Sequence, residues 1–382
     1  MTGYRELVEP TVIVSIFTAA SLINRRRSNS SSSSGSSNSL GHDVEGGATP
    51  SGITAADDSG YSTSASSSPS LKPVGYASAG RPRRPRSLFF RLLSRFWNKY
   101  PFLPEIWYWN LTYWIYQLMR AISARLIAGN IPVFDRARAH ALQILALERR
   151  LGMDMELALQ RVVLTRHAWL VPALARVYYS HISVGVAFLA YAYTCTPRGA
   201  FRRVRCALAM DNALAFVVVT LWRCSPPRLL PPGYGYVDVL HGGLESAAGG
   251  AGGGAGSGAG GGGSGASAWT NNRFQLTIAA MPSLHFGTAL LLAVYLWRFA
   301  PHGVVKVLAP LWPVAMLVTI LATANHFLLD AMVGAVIPWF GWRYGGVMAR
   351  LSVVQDWMLG PVRRRMDIQG EETTEGAKMM VD

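Results

Sequence analysis

Met281-Pro282-Ser283-Leu284-His285-Phe286-Gly287 opens one apolar segment, and Asn325-His326-Phe327-Leu328-Leu329-Asp330 joins the next two. Titratable groups at the edge of a membrane segment are costly, so a pair of histidines placed there points to a functional site. If Met281 to Ala300 crosses a bilayer and Val304 to Ala324 crosses back, each is long enough at roughly 20 residues per span. His326 then returns to the face on which His285 began.

Half of the 382 residues are hydrophobic and 15% are charged, and the mean hydropathy is positive. An all-α, polytopic membrane protein is therefore predicted, with about six spans and soluble inserts. Spans are expected at Glu105 to Ile127, Ala175 to Thr194, Cys206 to Cys224, Met281 to Ala300, Val304 to Ala324 and Phe327 to Tyr344, and Val12 to Ile23 adds a possible seventh. The net charge of +15 raises nucleic acid as a partner. The arginines flank apolar segments and no nucleic-acid module is present, so positive-inside topology accounts for the charge better. Cys195, Cys206 and Cys224 follow neither metal spacing nor an even disulfide framework.

The chain divides by composition. Residues 1–27 read as an uncleaved N-terminal anchor, and 28–80, rich in Ser and Gly, as a disordered segment unable to bury enough apolar surface to fold. Residues 81–104 are basic and contain Leu88 to Trp97, suited to an anionic membrane surface or equally to ordinary positive-inside flanking. Residues 105–345 form the transmembrane catalytic domain, interrupted by a Gly-rich spacer at 249–265, and 346–382 a cytosolic tail.

The orientation follows from arginine placement. The turn carrying Arg198, Arg202, Arg203 and Arg205, the turn with Lys306, and the tail with Arg343, Arg350 and Arg363-Arg364-Arg365 lie opposite the histidines. That face is cytosolic by the positive-inside rule, and the catalytic face lumenal. The arginine-rich stretch from Arg125 to Arg166 conflicts with this parity, and an interfacial helical hairpin around Ala137 to Leu151 is the reading that accommodates it.

The residue types suit phosphoryl transfer. A neutral imidazole can attack phosphorus while a protonated one donates to the leaving oxygen, and a histidine pKa near ~6.5 makes both states accessible. In His326-x-x-x-Asp330 the carboxylate lies one helical turn from the ring and can orient it. Pro282 suits a helix start whose free N–H groups, with the Ser283 hydroxyl, can hold phosphate beside His285.

At these residues the chain resembles the type 2 phosphatidic acid phosphatase superfamily. Pro-Ser-Leu-His-Phe-Gly and the downstream His-x-x-x-Asp look like its second and third signatures, and the branch it most resembles contains fungal inositol phosphorylceramide synthase and related inositol phosphotransferases. Trp222 to Leu230, Gly235-Tyr236-Val237-Asp238 and Ala268 to Phe274 add to the likeness, which covers roughly residues 100 to 345. The resemblance implies His326 as nucleophile, Asp330 as its partner, His285 as the acid, and phosphate contacts at Arg228, Ser283 and Gly287. Arg228 is otherwise an interfacial anchor after a helix. Two departures stand out: Pro226-Pro227-Arg228 replaces a Lys-containing first signature, and Thr319-Ile320 replaces a Ser-Arg pair.

The activity expected is transfer of an inositol-phosphate type head group to a sphingoid lipid, with phospholipid and sphingolipid substrates, no cofactor or metal, and a Golgi or other endomembrane location. A lipid phosphate phosphatase and an inactive membrane scaffold of the same fold are the alternatives.

Overall fold

The computed structural model describes residues 3–26, 88–240 and 276–348. All of these belong to one compact unit, Met1–Arg26 with Arg84–Asp382. The proposed disordered segment, the Gly-rich spacer, the Ala268 to Phe274 motif and most of the tail lie outside the described residues. So do residues 81–87 of the basic segment.

The described residues are helical: α1 (Gly3–Ile23), α2 (Leu88–Lys99), α3 (Leu103–Ile127), α4 (Ile131–Leu151), α5 (Glu156–Arg166), α6 (Val171–Tyr179), α7 (His181–Cys195), α8 (Arg198–Leu221), α9 (Leu284–Phe299), α10 (Gly303–Leu308), α11 (Leu311–Ala322) and α12 (Leu328–Tyr344). Extended pairing among them is limited to one isolated bridge, Cys224 with Ala279.

By length and composition two helical stretches can cross a membrane, α8 and the α10–α11 run Gly303–Ala322; a third is possible if α6 and α7, bent by 49° at Ser180, act as one broken span. The stretch read from sequence as one straight span, Ala175 to Thr194, is therefore broken. The break leaves Tyr178 and His181 side by side, with His181 Nδ1 at 2.8 Å from the Tyr178 carbonyl. A second difference concerns Arg198, Arg202, Arg203 and Arg205. They occupy the first two turns of α8 rather than a loop, because Pro197 starts the helix there. Arg205 turns inward and binds both carboxylate oxygens of Glu105, at 2.7 and 2.6 Å.

α3 is too polar to rank with those spans on hydropathy, yet its faces are sorted. Trp107, Trp114, Ile115, Leu118, Ile122 and Leu126 are exposed, while Trp109, Thr112, Tyr113, Tyr116, Gln117 and Arg120 line an internal cavity. The inward set follows i, i+3, i+4, i+7 spacing, one face of a helix. An apolar outside around a polar lining is the arrangement expected where lipid, not water, surrounds the bundle.

The helices that carry the site cross at backbone contact. A side chain at Gly287 of α9 would meet the Gly334 carbonyl oxygen at 2.3 Å, and one at Gly334 of α12 would meet the Ser283 carbonyl oxygen at 2.4 Å. Two glycines therefore let α9 and α12 touch main chain to main chain, as small residues do between membrane helices. Met316, Ile320, Leu321, Ala289 and Ala331 fill the space between α9, α11 and α12.

Candidate active site

The two signature histidines meet. α9 begins at Leu284 with Ser283 as its N-cap, the Ser283 hydroxyl accepting from the Phe286 N–H at 3.5 Å. This puts His285 in the first turn. At the other end of the pair, α11 stops at Ala322 and the chain reverses at Ala324, whose φ of 52° is left-handed. A non-glycine there costs roughly 1–3 kcal/mol and persists only where surroundings fix it. Here the Asn325 N–H donates to the Ile320 carbonyl at 2.9 Å, and the Arg228 N–H donates to the Ala324 carbonyl at 3.0 Å. The reversal delivers the His326 ring to 5.8 Å, centre to centre, from that of His285.

His326 is held through its Nδ1, 2.7 Å from the Ala280 carbonyl oxygen. A carbonyl only accepts, so Nδ1 carries the proton and Nε2 is left as the basic nitrogen. Burial pushes the pKa of this ring down, to about 4, with Arg228 adding to the effect and the Ala280 bond opposing it. The ring is thus neutral at physiological pH. Sequence reasoning gave the orienting task to Asp330, whose Oδ2 is 3.9 Å from Nδ1. Its direct bond goes elsewhere, to the Phe327 N–H at 2.9 Å. The carbonyl holds the ring, and Asp330 holds the backbone that follows it.

Asp330 has company that the sequence reading overlooked. Glu156 accepts from the Leu328 N–H at 2.7 Å and Glu148 from the Leu329 N–H at 2.8 Å. Three successive N–H groups at the start of α12 therefore meet three fully buried carboxyl groups, satisfying donors that a helix start leaves free. Burial raises both Glu148, to about 8, and Glu156. The second carboxyl oxygen of each glutamate is buried without a hydrogen-bond partner among the described residues, and the nearby acids Glu156 and Asp330 add to the upward shift of Glu148. The signal was legible: Ala137, Ala141, Ile144, Leu145 and Glu148 form one buried stripe on α4, so a carboxylate sits on an apolar face.

Arg228 approaches from the connection after α8. Its Nη1 donates to the Asn325 side-chain oxygen, and its Nε lies 3.3 Å from Asp238. Gln160 of α5 fixes the Asp238 loop through paired bonds with Val237, 2.8 Å to the carbonyl and 3.0 Å from the N–H. Two further rings surround His285: Tyr178 stacks on it at 4.5 Å and His181 meets it edge-on at 4.6 Å. Neither was singled out from sequence.

Gly287 has a structural explanation. Its N–H bonds to the Ser283 carbonyl at 3.0 Å and its missing side chain admits Gly334, so helix packing, not anion contact, accounts for the glycine. Ile320, at the position of the absent arginine, is fully buried among Met316, Leu321 and Ala331.

His285, His326, Arg228 and Asn325 open onto one cavity of about 340 Å³, which extends to α3, α7 and α8. The arrangement brings a neutral imidazole, a second imidazole and a guanidinium to one cavity that is also lined by Trp109, Phe188 and Leu189. The chain belongs to the PAP2 superfamily, whose sequence model matches residues 142–343, more than half of its length. Phosphatase or phosphotransferase chemistry on lipid-like substrates goes with that membership. No curated protein and no solved structure matches.

Proposed function

We propose that the protein is a membrane lipid phosphotransferase that moves an inositol-phosphate type head group to a sphingoid lipid through a histidine nucleophile. The observation that carries this reading is the pair of rings 5.8 Å apart at the mouth of a cavity that also holds Arg228. In this mechanism the His326 Nε2 attacks phosphorus, a P–N bond forms, and the P–O bond to the diacylglycerol breaks. Arg228, with the Ser283 end of α9, neutralises the equatorial oxygens. His285 gives its proton to the departing alkoxide, the negative charge of the bound phosphate favouring its protonated form. The acceptor hydroxyl then attacks phosphorus, its proton passes to His285, and the P–N bond breaks. Asp330 is a positioning residue for His326.

Trp109, Tyr113, Phe188 and Leu189 line the cavity, apolar surface of the kind a lipid chain of donor or acceptor would pack against. A lipid phosphatase would use the same residues with water as acceptor, and an inactive scaffold would retain them without turnover. Purified protein given labelled phosphatidylinositol, with and without ceramide, separates the three. Label moving to the ceramide supports transfer; inorganic phosphate released from labelled phosphatidic acid in a parallel sample means a phosphatase, and no product from either lipid means a scaffold.

We place this site on the lumenal face of an endomembrane such as the Golgi, on the arginine distribution. Single cysteines replacing Ser246 and Gly199 should be labelled by an impermeant maleimide from opposite sides of sealed vesicles. Labelling of both from one side overturns the orientation.

A further inference from the structure

The cavity contains three arginines, and they are not equally neutralised. Arg205 is bound by both oxygens of Glu105. Arg228 has Asp238 at 3.3 Å and the Asn325 amide oxygen. Arg120, from α3, has neither. Its Nη1 donates to the neutral Gln117 side chain at 3.3 Å, and its guanidinium lies 5.6 Å from the Tyr116 ring centre. Among the described residues no carboxylate forms an ion pair with it.

A cation with no counter-ion, on a helix whose other face is apolar and exposed, is expensive to keep unless something anionic arrives. Its direction is set by the helix: Trp109, Thr112, Tyr113, Tyr116, Gln117 and Arg120 form the inward stripe, so the guanidinium cannot turn to the outer face without leaving that stripe. Arg120 and Arg228 come from different elements and line the same cavity as His285 and His326. Arg120 also lies outside residues 142–343, the span matched to the superfamily.

We propose that Arg120 is a second phosphate-binding residue of this site, gripping from α3 the phosphoryl oxygens that Arg228 holds from the opposite wall. The inference rests on the phosphoryl-transfer reading for its substrate, but not for its test. A planar guanidinium can bind two phosphoryl oxygens at once, which an ammonium cannot. The neutral Gln117 amide would then fix the guanidinium without cancelling its charge, and Tyr116 would supply a face for it.

The test uses inorganic phosphate as the probe and thermal stabilisation of the purified full chain as the readout, so it needs no turnover. Stabilisation by a bound ligand follows its concentration relative to Kd. Phosphate should stabilise the wild type, and the apparent Kd should rise at least tenfold in Arg120→Gln and in Arg228→Ala. In parallel, the KM for labelled phosphatidylinositol should rise by a similar factor in Arg120→Gln and kcat should fall with it. Arg120→Lys keeps the charge and guards against misfolding; it should bind phosphate several-fold more weakly than wild type. Unchanged phosphate affinity in Arg120→Gln overturns the proposal, even if KM rises, because Arg120 would then serve another part of the lipid. Wild-type affinity in Arg120→Lys overturns the fork-like grip. If the wild type binds phosphate through Arg120 but turns over no phospholipid, this inference stands and the proposed function falls.

Discussion

The two sides of His326 are built from opposite kinds of ionisable group. On the side away from the cavity, Glu148, Glu156 and Asp330 are fully buried and bind three consecutive backbone N–H groups; none of them lines the cavity. On the cavity side stand Arg228 and Arg120, both directed to the space where substrate would enter. The acids act on the protein's own helix start, and the cations are left for an anion from outside. Set behind the nucleophile, the acids hold the turn that carries it.

Predictions that break or sharpen this contrast begin with the imidazoles. His326→Ala and His285→Ala should each lower turnover at least a hundredfold, roughly 3 kcal/mol of transition-state stabilisation, without loss of membrane insertion. Steady-state kinetics on well-inserted protein is the check, and near-normal activity in either variant removes that ring from the chemistry. Next comes the acid side. Glu148→Ala leaves the buried Leu329 N–H without its bond, and should destabilise the protein by about 2–3 kcal/mol in denaturant unfolding. Glu148→Gln, which keeps an accepting oxygen, should cost far less.

The same residue carries a pH signature. Its folded pKa, about 8, is raised by burial above the ordinary carboxyl value of 4.5, so the folded state holds the proton more tightly than the unfolded chain does. Stability from this group is therefore complete below about 4.5 and is lost as pH rises through about 8. Melting temperature against pH should fall over that window in the wild type and fall less in Glu148→Gln. Equal slopes would mean that Glu148 does not hold a proton in the folded state.

Smaller still is the effect expected from Asp238→Asn, which removes the ion pair of Arg228 while the Asn325 bond remains. KM should change by about fivefold or less, since a partly exposed pair contributes about 1 kcal/mol or less. The smallest belongs to the Gly-rich spacer: deleting residues 249–265 should leave activity within about threefold, because loop-closure entropy varies slowly with length. A severe loss in a folded variant would make the spacer part of the site.

Much of this was legible in the sequence because it was written locally. The all-α class followed from long apolar runs, and the meeting of His285 and His326 from counting span lengths. What was not legible depends on contacts between distant segments. The carbonyl that holds His326 belongs to Ala280, 46 residues earlier, and no side-chain pattern announces a backbone acceptor. Glu148 and Glu156 bind a turn more than 170 residues downstream. His181 and Tyr178 reach His285 only because a stretch that reads as one span breaks at Ser180. Arg120 sat within the predicted span Glu105 to Ile127, and only the sorted faces of α3 show which way its charge points.

The central claim, a histidine nucleophile at position 326, is tested most directly by trapping its adduct. Protein mixed with phosphatidylinositol labelled in the head group, quenched in alkali to preserve P–N bonds and mapped by mass spectrometry, should carry the inositol-phosphate group on His326. The adduct should be absent from His326→Ala. A labelled residue other than His326, or head-group transfer by His326→Ala at the wild-type rate, would contradict it.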